Sequence, residues 1–532
     1  MNSSDKIPSF SLWTEPWITL ERKEGGLERC NIEHALIRAH EFASIYEQSP
    51  LVVVGIHRLL TALAQAIVNP QRPSDLSKLW AKAEFNAQEV IAFGHKYGVR
   101  FDLFSEDAPF MQSADISLRP AKGDKTKTVA YLALEMPAGT AITHYRHGGD
   151  DSYQFCAACA AACMATVPAF ASSGGAGIKP SINGVPPIYI LPGGKSLFES
   201  LALSLMLPDY QPEVRSKKRD DAVWLRQPIV KRDTELSDVG YLHSLTFLAR
   251  RTRLHPEALA TPCARCGQAS EWGVRTMIFE MGESRSKEAA FWFDPFAAYK
   301  LPDETSKGTK KKAVPTPLRP SEGKATWREF GTLFLQQPNQ IGRKQQRTRR
   351  PAVIEQMAEL DLVESVQTYP FRCIGMRTDM KAKIFEWTDA HFDVSPALLR
   401  SPDAAAVIHE ALRFASECEF ITRSTFREFF GGKGKNSERH ENLRMRMLDA
   451  YWSDLASAFR EFVLKLSSNI NLEKERQAWL NQVVMYAQQA FRDAAALVGD
   501  DAANLRQRVQ GEQKCSVRLF AKRKEYTSEF NR

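Results

Sequence analysis

The chain has 532 residues, of which 43% are hydrophobic and 25% charged, and its formal net charge is +8. This composition is typical of folded domains, is long enough for two or more of them, and excludes disorder as the default. The moderate positive charge favours an anionic partner such as nucleic acid but does not require one.

The cysteine content and the apolar segments indicate the cellular compartment. Nine cysteines in a chain of this length are too sparse for a disulfide scaffold, and the polar start Met1–Lys6 lacks the apolar stretch of a signal peptide. We therefore expect a cytoplasmic protein with reduced thiols. The apolar run Leu51–Val68 is interrupted by His57, Arg58 and Gln65, so it predicts a buried helix and no membrane partner.

The N-terminal part of the chain predicts short strands mixed with helices. Residues Trp13–Leu20 predict a strand, and Asn31 is a plausible N-cap for the helix that follows it. Further helices are predicted over residues 50–69 and 74–98. The aromatic segment Phe101–Gln112 can fill a core or form a docking surface, and we favour the core.

Two Cys-x-x-Cys pairs, Cys156 with Cys159 and Cys263 with Cys266, have the spacing of two halves of a tetrahedral zinc site. The alternative is that Cys156, Cys159 and Cys163 are small apolar residues on the buried face of an alanine-rich helix. We favour the metal because the second pair lies in Cys-Ala-Arg-Cys-Gly, a turn unsuited to core packing. Four sulfur ligands leave no position for a reactive water, so we expect a structural Zn²⁺.

A glycine-rich segment, Ser172–Lys179, follows the first cysteine pair. A backbone that carries few side chains can approach a partner closely, although an ordinary flexible connection is the alternative. The nearby Gly193-Gly-Lys-Ser196 is similar to a P-loop, but Tyr189 stands where a P-loop needs glycine, so nucleotide hydrolysis is not supported. We find neither His-Glu-x-x-His nor Gly-x-Ser-x-Gly, which favours a binding subunit over an enzyme.

Beyond the second cysteine pair, residues 275–279 and 289–293 predict two strands of a hairpin whose tip is Gly282–Lys287. Residues 301–326, rich in Pro, Gly and Lys, predict a mobile surface loop. The basic run 342–350 predicts a loop that is either solvated or in contact with nucleic acid.

The C-terminal part changes to long helical stretches rich in Ala, Leu, Arg and Glu. These helices are predicted over residues 401–430, 438–466, 472–498 and 502–526. Short loops between them predict a four-helix bundle, and the last helix carries a basic outer face. The fold class is therefore predicted as α+β, with a large mixed N-terminal domain and structural zinc site over 1–390 and the four-helix bundle over 391–532.

The order and spacing of several pieces along the chain resemble one known family. These pieces are Glu15–Ile18, Pro109–Gln112, the two cysteine pairs around the glycine segment, 240–254, Gly375–Arg377 and the terminal helices. Together they resemble the CasA family, the large subunit of Cascade, the type I-E CRISPR surveillance complex of antiviral defence. The resemblance implies a non-catalytic subunit with a mixed N-terminal domain and a C-terminal bundle, whose partners are other Cascade subunits, guide RNA, double-stranded target DNA and a helicase-nuclease.

In that family the large domain recognises the protospacer-adjacent motif mainly from the minor groove, helps open the duplex for guide pairing and recruits the helicase-nuclease. By position, the resemblance implies DNA contacts at Gly174, Gly175, Ala176, Gly177 and Lys179 in the glycine segment, Arg285 and Lys287 at the hairpin tip, and Thr378, Met380 and Lys381 in a wedge that parts the duplex. It implies guide-RNA contacts at Tyr145, Arg146 and His147.

This sequence departs from the family at two of these places, and the alternatives remain. Ala176 stands where the central glycine is expected, and Met380 or Lys381 stands where the family's wedge has glutamine. For the hairpin lysine we favour Lys287. The rival function is a zinc-dependent nucleic-acid-processing enzyme in which Cys163 or a histidine replaces one thiolate and opens a coordination position. An RNA-only scaffold is a third possibility.

Overall fold

A computed structural model of the chain describes residues 8–135, 153–172, 178–214, 220–259, 261–302, 314–336, 347–378, 384–431, 437–468, 471–499 and 501–529. Its strands are β1 Ile18–Arg22, β2 Leu27–Cys30, β3 Phe42–Ile45, β4 Thr126–Thr128, β5 Phe155–Cys156, β6 Tyr189–Pro192, β7 Thr234–Leu236, β8 Arg250–Ala258, β9 Trp272–Met281, β10 Glu283–Arg285, β11 Tyr299–Lys300, β12 Thr316–Pro317, β13 Thr348–Arg349, β14 Tyr369–Thr378 and β15 Ile384–Val394.

Helices alternate with these strands and then replace them. They are α1 Ile32–Ile37, α2 Pro50–Val68, α3 Pro73–Lys82, α4 Ala87–Tyr97, α5 Ala157–Met164, α6 Val167–Phe170, α7 Leu197–Ala202, α8 Tyr241–Leu245, α9 Phe330–Phe334, α10 Ala352–Glu359, α11 Pro396–Arg400, α12 Pro402–Phe430, α13 Ser437–Ser467, α14 Leu472–Ala496 and α15 Ala502–Glu529. The arrangement is a mixed α and β fold with a helical C-terminal region, in agreement with the sequence prediction.

The residues divide into two compact units. One comprises Met1–Pro320, Arg349–Leu362 and Tyr369–His391, and the other comprises Ser321–Thr348, Val363–Thr368 and Phe392–Arg532. The second unit therefore includes two short segments that precede the C-terminal helices in the sequence.

Helix α2 forms the core of the first unit. By length and composition it could cross a membrane, but 83% of its most apolar window is buried inside the protein, as the sequence predicted for a core helix. It packs against α5, α6, α7 and α8. At Gly55 a Cβ would lie 2.6 Å from the Ala165 carbonyl oxygen, so only glycine allows this close approach. Burial lowers the pKa of His57 to about 3, which keeps its imidazole neutral at physiological pH.

The same helix carries a buried cation that joins three parts of the first unit. Arg58 Nη1 lies 3.1 Å from Asp294 Oδ1, and both side chains are almost completely buried. Asp294 also accepts hydrogen bonds from Asn183 Nδ2 at 2.8 Å and from the Phe296 amide at 2.9 Å. Because Asn183 follows the glycine segment, this network fixes the chain beyond that segment to α2.

Strand β9 organises the sheet next to the cysteine pairs, because Cys156 ends β5 and the second pair lies in the connection between β8 and β9. It pairs antiparallel with β8 along most of its length, with β4 through its central residues Thr276–Ile278, and with β5 through Phe155 and Cys156. A second sheet has the order β15-β14-β6. The aromatic segment Phe101–Gln112 is largely buried, which confirms its predicted role in the core.

Two predictions of local structure are wrong. The single helix predicted over 74–98 is two helices, because Ala83 adopts a left-handed conformation with φ 55° and Asn86 caps α4 by accepting from the Gln88 amide. The hairpin predicted beyond the second cysteine pair does not form as expected. Residues 289–293 contain no strand, β9 pairs with β8, and β10 pairs in parallel with β7.

In the second unit, α12, α13, α14 and α15 occupy the predicted positions of the four long helices and pack against one another. The hydroxyl of Ser401 caps α12, and the side chain of Asn471 caps α14. Trp479 is buried, stacks on Phe462 with a centroid distance of 5.2 Å, and donates to the Ala411 carbonyl. Apolar burial together with satisfied helix ends explains why the composition predicted these helices correctly.

We expect the Asp294→Ala substitution to destabilise the first unit by about 3–5 kcal/mol, because it leaves the buried Arg58 cation without its counter-charge. Removal of the exposed cation of Arg275, which pairs with Glu257 at 2.8 Å, is the control and should cost less than about 1 kcal/mol. Denaturant unfolding followed by tryptophan fluorescence measures both free energies. Equal losses in the two variants would contradict the prediction.

Candidate metal centre and nucleic-acid interface

The structure brings together the four cysteines that the sequence singled out. The sulfur atoms of Cys156, Cys159, Cys263 and Cys266 all lie within 4.8 Å of one another. The Sγ atoms of Cys156 and Cys266 are 3.8 Å apart. A tetrahedral ion with Zn–S bonds of about 2.3 Å requires sulfur separations of roughly 3.8 Å. The cluster is therefore compatible with a zinc site.

Local backbone geometry explains how each pair presents its sulfurs. Cys156 ends β5 and precedes α5, so Cys159 lies one helical turn further on. The second pair lies in a tight turn in which the Gly267 amide donates to the Cys263 carbonyl at 2.8 Å, and Gly267 has φ +72°, a value that favours glycine. The Ala264 amide donates to the Gln154 carbonyl at 2.9 Å, which joins the turn directly to the chain before the first pair.

The electrostatics of the cluster favour a bound cation. Hydrogen bonds from Cys156 and Cys159 lower the pKa of Cys263, which is therefore the first thiol to ionise. Hydrogen bonds with Cys156 and Cys263, together with burial, raise the pKa of Cys159 far above its ordinary value. One thiolate thus opposes ionisation of the next, and a bound metal ion would supply positive charge that stabilises several thiolates together.

Arg265, between the two cysteines of the second pair, fixes that turn to the rest of the first unit. Its side chain is 9% exposed and pairs with Glu47 at 2.7 Å and with Glu135 at 2.8 Å. These two ion pairs connect the turn to the segments that follow β3 and β4. The sequence showed a basic residue here but gave no signal for its acidic partners.

Cys163 does not belong to the cluster. It lies one helical turn beyond Cys159 on α5 and is completely buried, and burial raises the pKa of its thiol. Among the described residues, the potential metal ligands that converge at this place are the four cysteines. The open coordination position that the rival enzyme requires has no support in this arrangement.

Of the predicted glycine segment, Ser172 and Lys179 are described, whereas Gly174, Gly175, Ala176 and Gly177 lie outside the described residues. Lys179 Nζ lies 3.0 Å from Asp233 and 2.8 Å from Glu235, and its pKa is raised chiefly by the hydrogen bond to Glu235 and then by that to Asp233. Sequence reasoning missed both acids, because 54 to 56 residues separate them from Lys179 along the chain.

The two candidates for the hairpin residue differ in accessibility. Arg285 ends β10, is partly buried, and donates from Nη2 to the Ala290 carbonyl oxygen; burial lowers its pKa. Lys287 lies in the turn after β10 and is exposed. Lys287 is thus the better placed of the two to reach a partner, although the turn does not belong to the predicted hairpin.

The predicted wedge begins at the end of β14. Thr378 is the last residue of β14, and β15 begins at Ile384, so the wedge segment connects two neighbouring strands of one sheet. A bidentate ion pair between Arg372 and Asp389, with distances of 2.9 and 2.6 Å, joins these strands. Met380 and Lys381 of the wedge lie outside the described residues, as do the predicted RNA contacts Tyr145, Arg146 and His147.

Comparison with known proteins decides the family. The family described as CRISPR-associated protein Cse1 matches residues 11–490. The chain belongs to the CRISPR-associated Cse1 family. It is 27% identical over 528 residues to CRISPR-associated protein CasA/Cse1 of Thermus thermophilus, an alignment that covers 95% of this chain and 96% of that protein.

Solved structures of similar proteins show the same fold as this Cse1-family chain. The crystal structure of Cse1 from Acidimicrobium ferrooxidans superposes with a TM-score of 0.78 at 20% identity, covering 98% of this chain and 99% of that one. A chain of a CRISPR RNA-guided surveillance complex superposes with a TM-score of 0.71 at 18% identity, covering 96% and 100%. The resemblance inferred from the sequence pieces is confirmed at the level of the family.

We expect the Cse1-family chain purified under reducing conditions to contain about one tightly held metal ion, and the Cys263→Ser substitution to abolish retention of the ion and lower the unfolding temperature. Elemental analysis combined with thermal unfolding measures both. Cys163→Ala is the matched control, since it removes a nearby buried thiol that lies outside the cluster, and should retain the ion. Loss of metal from the Cys163 variant alone would contradict the assignment of ligands.

Proposed function

We propose that this chain is the large, non-catalytic subunit of a CRISPR surveillance complex, in which it recognises the protospacer-adjacent motif of double-stranded DNA and helps open the duplex for guide RNA. The observation that carries the proposal is the family match over residues 11–490. The surveillance complex that contains a chain of the same fold supports assembly with other Cascade subunits and guide RNA. Recruitment of a helicase-nuclease and a cytoplasmic location belong to the same proposal.

The cysteine cluster takes a structural Zn²⁺ in this proposal. Its four sulfurs fill a tetrahedral coordination sphere, so a bound ion would retain no water for hydrolysis. The ion would tie the start of α5 to the turn at Cys263–Cys266, and α5 leads through α6 to the glycine segment. The metal would therefore act at a distance, by fixing the elements from which that segment leaves.

The glycine segment, Gly174–Lys179, supplies the minor-groove contact in the proposal. Backbone amides without bulky side chains can reach the acceptors on base edges in the narrow groove. Lys179 and the exposed Lys287 would contact phosphates, with Arg285 beside the latter. For Lys179 this requires exchange of Asp233 and Glu235 for a phosphate oxygen, because both acids pair with it in the free chain.

The wedge, Thr378 with Met380 and Lys381, would part the duplex next to the motif. The paired strands β14 and β15 flank it on both sides, and side chains inserted at a base step partly unstack the bases. Unstacking costs a few kcal/mol, which pairing with guide RNA offsets. Tyr145, Arg146 and His147 would contact the guide RNA, and the four C-terminal helices, over about residues 391–532, would contact neighbouring subunits as a four-helix bundle.

The proposal predicts flank-dependent DNA binding that requires this chain. The guide complex is reconstituted with and without the chain and incubated with a library of duplexes that differ only in the flank, and binding is read by electrophoretic shift. We expect strong preference for a subset of flanks only when the chain is present. Equal binding to every flank would refute motif recognition and would favour an RNA-only scaffold.

For the wedge, we expect Lys381→Ala, or a deletion that shortens Thr378–Lys381, to impair duplex opening more than initial binding. Permanganate footprinting reports unpaired thymines, and the electrophoretic shift reports binding. Lys96→Ala, which removes the same charge from α4, is the control and should open DNA normally. Normal unpairing in the shortened variant would count against the wedge.

A further inference from the structure

A buried arginine holds both described ends of the glycine segment. Arg250 is the first residue of β8, and its side chain is 2% exposed. Its Nη1 donates to the Lys179 carbonyl oxygen at 2.8 Å, and its Nη2 donates to the Ser172 carbonyl oxygen. One guanidinium therefore bridges two carbonyls that lie seven residues apart in sequence, one at each end of the segment.

Contacts of backbone amides also join the chain on the two sides of the glycine segment. The Ser181 amide donates to the Ala171 carbonyl at 2.7 Å, and the Lys179 amide lies 3.2 Å from Met281 Sδ. Within the described part of the chain, Arg250 forms no ion pair with a carboxylate. Burial lowers its pKa to about 10, so it stays cationic at neutral pH. Its charge is satisfied by carbonyl oxygens, including that of Ala249 at 2.8 Å. Hydrogen bonds to a charged donor are stronger than neutral ones.

We propose that Arg250 is a positioning residue for motif recognition, which fixes the separation of Ser172 and Lys179, the described residues that flank the proposed DNA contact. The inference rests on the proposed function of the glycine segment. Glycine loses more conformational entropy on ordering than any other residue, so an unanchored glycine-rich segment binds at a larger entropic cost. Anchoring both ends before binding reduces that cost.

The chemistry of the bridge requires arginine. The planar guanidinium presents two nitrogens in a fixed fork, whereas a lysine ammonium is a point donor on a flexible stem and cannot hold two separated carbonyls in one geometry. Arg250→Lys therefore keeps the charge while it removes the bridge.

The chain offers a matched control on the same strand. Arg253, also on β8, is 1% exposed, and burial lowers its pKa to about 10 as well. It donates to the Ser105 carbonyl at 2.9 Å and to the Glu106 carbonyl at 3.5 Å, which are distant in sequence from the glycine segment. Arg253→Lys thus breaks a similar buried contact without releasing Ser172 or Lys179.

The test compares the full chain and both variants, each assembled with the guide complex. We measure the ratio of Kd for disfavoured over favoured flanks, the unfolding temperature, and hydrogen exchange at the Ser181 amide. Both variants should lose similar thermal stability, but only Arg250→Lys should reduce the Kd ratio, by about tenfold, and accelerate exchange at Ser181. Where Arg250→Lys does not assemble, Arg250→Gln, which has one donor nitrogen and no charge, should give the same result.

An unchanged Kd ratio in the Arg250 variants, or an equal reduction in Arg253→Lys, would overturn the role of Arg250. The wild-type complex separates this failure from failure of the proposed function. If the wild-type complex shows no flank preference, motif recognition itself is refuted. If the wild-type complex and the Arg250 variants discriminate between flanks equally well, only the positioning role is refuted.

Discussion

The convergence of four sulfurs is the constraint on which the first unit depends. Cys156 and Cys263 are 107 residues apart in sequence, yet the Cys156 amide lies 3.2 Å from the Cys263 sulfur. The elements that meet there are small, since β5 has two residues and α5 has eight. Both elements are buried, and their position depends on packing of α5 against α2, on pairing of β5 with β9, on the shared sulfur cluster and on the ion pairs of Arg265. An ion at the cluster would thus stabilise a tertiary arrangement.

Buried arginines also join elements that are distant in sequence. Arg58, Arg250, Arg253 and Arg265 each leave one element and bond to another that is distant in sequence. Two of them pair with carboxylates and two with backbone carbonyls. The carbonyl pairs are informative because irregular backbone has polar groups that no sheet or helix satisfies, and a guanidinium has enough donors to satisfy several of them. The glycine segment begins and ends at such carbonyls.

The difference between what could and could not be predicted from sequence has a physical cause. Cys-x-x-Cys spacing and helical periodicity are local signals, so the cysteine cluster and the four long helices were predicted correctly. Strand β9 also has a local signal, but its partner β8 precedes the second cysteine pair, and no local pattern reveals which of two neighbours a strand selects. The break at Ala83 was missed because alanine favours helix, whereas here it adopts a left-handed conformation and Asn86 caps a new helix three residues later. Asp233 and Glu235 were missed because charge partners distant in sequence leave no periodic trace.

The pairing of Lys179 changes how charge contributes to the proposed DNA contact. A free lysine gains affinity by neutralising a phosphate and releasing a counterion, and its contribution falls as salt rises. Lys179 already pairs with Asp233 and Glu235. A phosphate that replaces these acids therefore adds only the difference in free energy between the old and the new ion pairs, and partly exposed ion pairs each contribute little. The lysine then adds little to binding of arbitrary DNA. If the proposed function holds, discrimination between flanks falls to backbone amides, which can read the shape and acceptors of the groove without a large, sequence-independent electrostatic gain.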